Sequence, residues 1–282
     1  MGILTKVDVV DNIQEYIEPY VTFDEPIPYK GLYLYPVKMK DVYKFLASVD
    51  ILNIEKNKIA DIQIIQMNYL QFLLNIVLSD IVWRKKLLGI LTLCLKAESN
   101  ETFEEFPEDE VLVRTSLDRT VYLYNGWDIR FEVFKNNQVY LYVNNIEIDG
   151  KSFDELRKII MFQNVNEYDD AEMSDDFKEV VENYYKIKNK GMKSLTIEDK
   201  IDVVMSQTSY TKDDIKEISY RNFDRIFNKI IEKTEYVIGK IAEMQGCTKE
   251  PTEHWVYKKD KNKYSHIFSD ADAFTNEIVG VH

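Results

Sequence analysis

An apolar segment at residues 62–95 constrains the fold of this chain more than any other feature. It carries no charged residue between Asp61 and Asp80, a length close to the lower bound of about 17 residues for a bilayer-spanning helix. Amide side chains interrupt the segment, however, at Gln63, Gln66, Asn68, Gln71 and Asn75. We therefore expect a central core helix, or two helices with a break near residues 79–83, and no membrane span.

The composition is that of a globular protein with an acidic surface. Hydrophobic residues make up 45% and charged residues 30% of the 282 positions, and the net charge is −13. This negative balance argues against broad nucleic-acid binding and against docking on anionic membranes, since both need a positive field. Two distant cysteines, Cys94 and Cys247, match neither a disulfide framework nor a zinc site, and the first residues match no signal peptide. A reducing compartment is expected.

The N-terminal third is predicted to hold an arm, a helical core and a linker. Residues 1–98 form the first region, and its first 30 residues are expected to be an arm because Pro19, Pro26 and Pro28 disfavour helix. Residues 99–110 contain several carboxylates and no basic side chain. They lack the glycine turn of a calcium loop, so they are interpreted as an acidic linker.

Residues 111–164 are predicted to form a small antiparallel sheet followed by a capping helix. Short runs of β-branched and aromatic residues are separated by Asn125-Gly126 and Asn136-Asn137 at hairpin spacing, which indicates three or four strands. Ile129, Phe131 and Val133 alternate and should point to one side. The order Ser152-Phe153-Asp154-Glu155 has the pattern of a capping box that opens a helix.

Four tyrosines on the predicted strands form a candidate binding face, at Tyr122, Tyr124, Tyr140 and Tyr142. They lie two residues apart on segments that pair if the sheet is antiparallel. Cross-strand packing explains the same spacing, so both interpretations stay open at this stage.

The remaining chain is predicted to be a helical region at residues 165–250 and an extended tail at 251–282. Thr196 and Asp199 have the spacing of a helix cap, and a long amphipathic helix is expected over residues 220–243. The tail mixes lysines with aromatic residues, a pattern that can stack on single-stranded nucleic acid or dock on protein. Given the net charge, we favour protein, with the candidate partner-binding residues Trp255, Tyr257, Tyr264, Phe268 and Phe274.

The sequence gives no catalytic, cofactor-binding or metal-ligating residue. The histidines are His254, His266 and His282, all near the end of the chain. No glycine-rich phosphate loop, Cys-x-x-Cys pair or His-Glu-x-x-His motif is present. A carboxylate site formed only in three dimensions stays open. The predicted fold is α+β and predominantly helical, with apolar central helices, a small antiparallel β-sheet insertion and a C-terminal helical region that ends in an extended tail.

Three segments, residues 28–59, 146–164 and 218–231, together resemble a family of tail and baseplate morphogenesis proteins from phages of Gram-positive bacteria. The last is similar to segments of tail assembly chaperones. The resemblance implies a non-enzymatic protein made in the host bacterial cytoplasm, whose partners are other phage tail proteins: the tape-measure protein or a baseplate hub. Such a chaperone needs adaptable apolar surfaces, as at Met161 and Phe162 or in the tail. Alternatives are a stoichiometric component of the virion tail and, less in keeping with the sequence, an enzyme acting on cell wall or nucleic acid.

Overall fold

The computed structural model describes residues 13–54, 56, 61–77, 80–98, 111–124, 126–166, 168, 195–247, 252 and 254–256. The predicted linker at residues 99–110 lies outside them. By its contacts the chain divides into two compact units, one of residues 1–168 and 213–224 and one of residues 169–212 and 225–282.

Helices and strands alternate in blocks along the chain. The first block holds α1 (Ile13–Thr22), β1 (Ile27–Tyr29), β2 (Leu32–Leu34), α2 (Val42–Leu46), α3 (Ile62–Gln66), α4 (Tyr69–Val77) and α5 (Ile81–Cys94). The second block holds β3 (Val111–Thr115), β4 (Arg119–Tyr124), β5 (Ile129–Phe134), β6 (Val139–Val143) and β7 (Ile146–Asp149). Within the described ranges, four helices follow: α6 (Gly150–Asn164), α7 (Ile197–Gln207), α8 (Lys212–Glu217) and α9 (Tyr220–Met244).

The apolar segment 62–95 forms α3, α4 and α5, and the predicted break near residues 79–83 is confirmed. α5 begins at Ile81, and the Asp80 side chain caps it by accepting a hydrogen bond from the Val82 N–H (2.6 Å). A further break lies at Met67, whose extended backbone ends α3. No described helix has both the length and the apolarity to cross a bilayer.

The expectation of an N-terminal arm is wrong for the part of it that the structure describes, because α1 is a helix with Pro19 inside it. Ile17 and Val21, one turn apart, are both buried, and the Tyr16 hydroxyl donates to the Pro28 carbonyl (2.8 Å). An internal proline costs a helix about 3 kcal/mol. Burial of two aliphatic side chains returns a comparable amount, at about 1.5–3 kcal/mol each.

The predicted fold class is wrong, because the sheet is not a small insertion in a predominantly helical protein. Among the described residues there is a five-stranded antiparallel sheet, β3 to β7 in sequence order, besides the two-stranded sheet β1–β2. The fold is therefore a sheet-containing α+β fold. The unforeseen strand is β7, which follows a tight turn where Asn144 and Asn145 both have positive φ (51° and 60°), the geometry of a two-residue hairpin.

One side of the five-stranded sheet completes the core of the first unit. Phe131 and Leu141 from the sheet belong to the same buried cluster as Phe72 of α4 and Phe153 of α6. Tyr69 stacks on Phe153 with ring centroids 6.4 Å apart. The sheet and the apolar helices thus share one core. Met161 and Phe162 also lie in it, so they are not the adaptable surface suggested by the sequence.

Helix α6 begins three residues earlier than the capping-box pattern predicts. Its N-cap is Asp149, whose carboxylate accepts the Ser152 N–H (2.7 Å), whereas Ser152 lies inside the helix. Burial alone would raise the pKa of Asp149, but the hydrogen bonds from Ser152 and the charge of Lys30 outweigh it and lower that pKa. The predicted box is wrong because Ser152 and Glu155 are engaged by residues of the β1–β2 hairpin.

The helices predicted after residue 195 are confirmed. Thr196 and Asp199 form a reciprocal capping box at the start of α7, and α9 covers the predicted long helix. In the second unit, Val204 and Phe227 are buried, and the Lys200 ammonium lies over the Phe227 ring at 5.0 Å from its centroid.

Candidate functional site

The two sides of the five-stranded sheet differ in chemistry. Successive side chains of a strand point to opposite sides, and the pairing of Phe131 with Tyr122 and Leu141 places those three side chains on the core side. The opposite side carries a different set, none of which belongs to the buried cluster of the first unit. We call it the arginine–tyrosine face; its members are Leu112, Arg114, Arg119, Val121, Leu123, Arg130, Glu132, Phe134, Tyr140, Tyr142, Glu147 and Asp149.

A carboxylate between two guanidinium groups lies at the centre of this face. Glu132 is only 5% exposed. Its Oε2 accepts a hydrogen bond from Nη1 of Arg119 (2.6 Å), and its Oε1 accepts one from Nε of Arg130 (3.1 Å). Both carboxylate oxygens are therefore paired, which is what a nearly buried charge requires.

Aromatic rings hold the two arginines in place. The Arg130 guanidinium lies over the Tyr142 ring at 4.0 Å from its centroid, and that of Arg119 lies 5.7 Å from the Phe134 ring centroid. Phe134 meets Tyr140 edge-on, with centroids 5.7 Å apart. The arrangement is a continuous patch of alternating cations and rings.

Tyr142 is fixed from its other end. Its hydroxyl donates to Oε2 of Glu147 on β7 (2.7 Å). Desolvation, followed by this hydrogen bond to Glu147, raises the pKa of Tyr142 to about 12. At physiological pH the phenol stays neutral and serves as a donor.

The strand register divides the four candidate tyrosines into two pairs with different environments. Tyr122 and Tyr124 face the core, and Tyr124 is 2% exposed. Tyr140 and Tyr142 lie opposite Glu132 and Arg130 on the arginine–tyrosine face. Packing therefore accounts for the first pair, while only the second pair contributes to a surface that a partner could reach.

Of the tail residues predicted to bind a partner, Trp255 alone is described, and it lies beside the second unit's long helix. His254 packs against Tyr236 of α9 (centroids 4.9 Å apart), and Trp255 stacks on His254 (6.2 Å). The Thr252 N–H donates to Glu243 (3.2 Å). Tyr257, Tyr264, Phe268 and Phe274 lie outside the described residues.

A second polar cluster lies between the β1–β2 hairpin and α6. Nζ of Lys30 donates to the Ser152 hydroxyl (2.6 Å) and lies 3.5 Å from Glu155, and the Tyr29 hydroxyl donates to the same glutamate (2.5 Å). Burial, followed by the hydrogen bond to Glu155, raises the pKa of Tyr29. A serine beside a lysine can form a nucleophile and base. Here the lysine is ion-paired and the serine is nearly buried, so the cluster serves to join hairpin to helix.

The residues at the centre of the face were not singled out from the sequence. Arg130 and Glu132 alternate with the core residues Ile129 and Phe131, so their position opposite the core could be read from the strand pattern. Their pairing with Arg119 depends on strand register, which residue spacing alone does not give.

No group of three or more histidine, cysteine, aspartate or glutamate side chains placed to hold a metal ion occurs within the described part of the chain. Comparison of the chain with protein-family models, curated proteins and solved structures finds no match.

Proposed function

We propose that this protein is a non-enzymatic binding protein of phage tail morphogenesis. In this proposal it is an assembly chaperone that holds the tape-measure protein or a baseplate hub protein in solution. The tail assignment rests on the resemblance of residues 28–59, 146–164 and 218–231 to such proteins. The binding assignment rests on the arginine–tyrosine face.

The composition of this face is the observation that carries the binding proposal. Protein interfaces are enriched in tyrosine, phenylalanine and arginine at their centres and depleted in lysine, and arginine and tyrosine are common hot-spot residues. The face has three arginines, three aromatic rings and no lysine among the members given above, and its acidic residues are Glu132 and, on the edge strand β7, Glu147 and Asp149. Its rings are half-buried by their neighbours, so they lose little side-chain entropy when a partner covers them.

An assembly chaperone of this kind acts in the host bacterial cytoplasm, before the virion is complete. The acidic body of the protein keeps a complex with an apolar partner soluble. The alternative proposal, a stoichiometric component of the tail or baseplate, uses the same face permanently. Quantitative proteomics of purified virions separates the two, because a chaperone leaves the particle and a structural component stays at many copies.

Co-expression with the tape-measure protein of the same tail module tests the proposal. Wild-type protein should increase the soluble fraction of the tape-measure protein, and the Phe134→Ser/Tyr140→Ser variant should not. A matched control is Tyr33→Ser/Tyr43→Ser, which removes two exposed aromatic rings elsewhere in the same unit (56% and 67% exposed). Circular dichroism and thermal melting establish that both variants are folded. Equal solubilisation by all three proteins would contradict a role for this face.

A further inference from the structure

We infer that the arginine–tyrosine face binds an apolar polypeptide segment that carries an isolated carboxylate, and that Arg119 and Arg130 receive this carboxylate. The inference deepens the proposed function and rests on it, because it specifies the chemistry of the partner. It follows from the hydrogen-bonding capacity of the two guanidinium groups and from the apolar side chains on either side of them.

The two guanidinium groups retain N–H donors after binding Glu132. A guanidinium has five such donors. Within the described residues, the hydrogen bonds of Arg119 use Nη1 alone, and those of Arg130 use Nε to Glu132 and Nη1 to Asn145 (3.0 Å). Nη2 of each arginine and Nε of Arg119 are left for another acceptor. A carboxylate matches two such donors in a bidentate geometry.

These donors are already oriented before a partner arrives. Glu132 accepts a hydrogen bond from each arginine, and the Tyr142 and Phe134 rings pack against the guanidinium groups of Arg130 and Arg119. The side chains of Arg130 and Arg119 are 25% and 42% exposed, so they are restricted and still accessible. Binding then costs less of the rotamer entropy that an arginine free in solvent would lose.

Apolar side chains border the arginines on both sides. Leu112, Val121 and Leu123 of β3 and β4 lie on one side, and Phe134, Tyr140 and Tyr142 of β5 and β6 lie on the other. A partner segment that packs against both groups of side chains makes apolar contacts with each of them and places one acidic residue at the two arginines. The chemistry of the face thus fits an apolar segment with a single glutamate or aspartate.

The charge distribution separates this partner from a polyanion. The face carries Arg114, Arg119 and Arg130 together with Glu132, Glu147 and Asp149, so its formal charges balance on a chain whose net charge is −13. A single carboxylate feels the neighbouring guanidinium groups, since the screening length is about 8 Å at physiological ionic strength. A nucleic acid carries a charge at every phosphate, so the acidic remainder of the protein repels it. The members of the face also include no lysine that could neutralise these phosphates.

Overlapping 15-residue peptides that cover the tape-measure and hub sequences provide the test. Full-length protein is titrated with each labelled peptide by fluorescence anisotropy, and the tightest binders are resynthesised with glutamate and aspartate changed to glutamine and asparagine. We expect the acidic forms to bind about tenfold more tightly, as a charge-assisted hydrogen bond of about 1.5–3 kcal/mol allows. Arg119→Gln should abolish this preference while leaving binding of the amide forms. Arg225→Gln, which changes an exposed arginine of α9, is the matched control.

The outcomes separate the two proposals. Peptides that bind equally in acidic and amide forms overturn the carboxylate inference and leave the proposed function standing. Absence of binding to every peptide, together with no solubilisation on co-expression, overturns the proposed function as well. Tighter binding of a 20-nucleotide oligothymidylate than of any peptide, or self-association that buries the face, would also overturn the inference. The peptide comparison on wild-type protein needs no variant, so it stands even if Arg119→Gln folds poorly.

Discussion

Removal of either arginine beside Glu132 should destabilise the first unit, and the two losses should differ. Arg130 has the less exposed side chain (25% against 42% for Arg119) and makes two hydrogen bonds besides its stacking on Tyr142. Arg119 is 42% exposed, so water can replace part of its hydrogen bond to Oε2 of the nearly buried Glu132, and we expect Arg119→Ala to cost about 1–2 kcal/mol. For Arg130→Ala we expect about 2–3 kcal/mol, since charge-assisted hydrogen bonds contribute about 1.5–3 kcal/mol and cation–π stacking about 0.5–1 kcal/mol.

Urea unfolding followed by tryptophan fluorescence measures these losses. A Trp255→Phe background leaves Trp83 and Trp127 as the only tryptophans, and both belong to the first unit. The urea midpoint of the fluorescence change then reports the unfolding of the first unit alone. A loss for Arg119→Ala equal to or larger than that for Arg130→Ala would refute the reasoning, because it would show that neither burial nor ring stacking sets the strength of the pair.

Further predictions concern a helix cap, the core and the two thiols. Asp149→Ala should cost about 1 kcal/mol, whereas Asp149→Asn keeps the cap. Because folding lowers the pKa of Asp149, the stability due to its charge is present above the unfolded pKa, about 3.9, and is lost as the pH falls through the folded value. Urea midpoints should therefore separate the wild type from Asp149→Asn more widely at pH 7 than at pH 3. Phe131→Ala should cost about 3–5 kcal/mol by the same assay, since Phe131 is fully buried. In the native protein a thiol-specific disulfide reagent should label exposed Cys247 at once. Buried Cys94, whose pKa burial raises to about 12, should react only after unfolding.

Local signals were sufficient to locate most strands and the late helices. The turn at Asn136-Asn137 and the alternation of Ile129, Phe131 and Val133 are properties of a few neighbouring residues, and the structure reproduces them. The pair Asn144-Asn145 carried the same kind of signal but was not among the turns from which three or four strands were predicted. The number of strands was therefore underestimated, and with it the share of the fold that the sheet makes up.

The errors at α1 and at the start of α6 have a different cause, because residues far away in sequence determine both structures. Pro19 predicts a break by itself, yet the helix gains its stability from burying Ile17 and Val21 in a core built by later segments. Ser152 looks like an N-cap by itself, yet Lys30 binds its hydroxyl across 122 positions of sequence. Local propensity includes neither of these long-range contacts, so the residues next to Pro19 and Ser152 do not contain the information that would have corrected the two predictions.

The candidate site shows why residue type alone does not give function in this chain. Tyr122 and Tyr140 occur in similar runs of alternating residues, but the register places one against Phe131 in the core and the other beside Glu132 on the opposite side. The same register brings Arg119 and Arg130 to one carboxylate although their strands differ. Net charge is fixed by composition, whereas local charge is fixed by this pairing. A protein that repels polyanions over long distances therefore presents, on one side of its sheet, two oriented guanidinium groups, which is the chemistry for selecting a single carboxylate within an apolar partner.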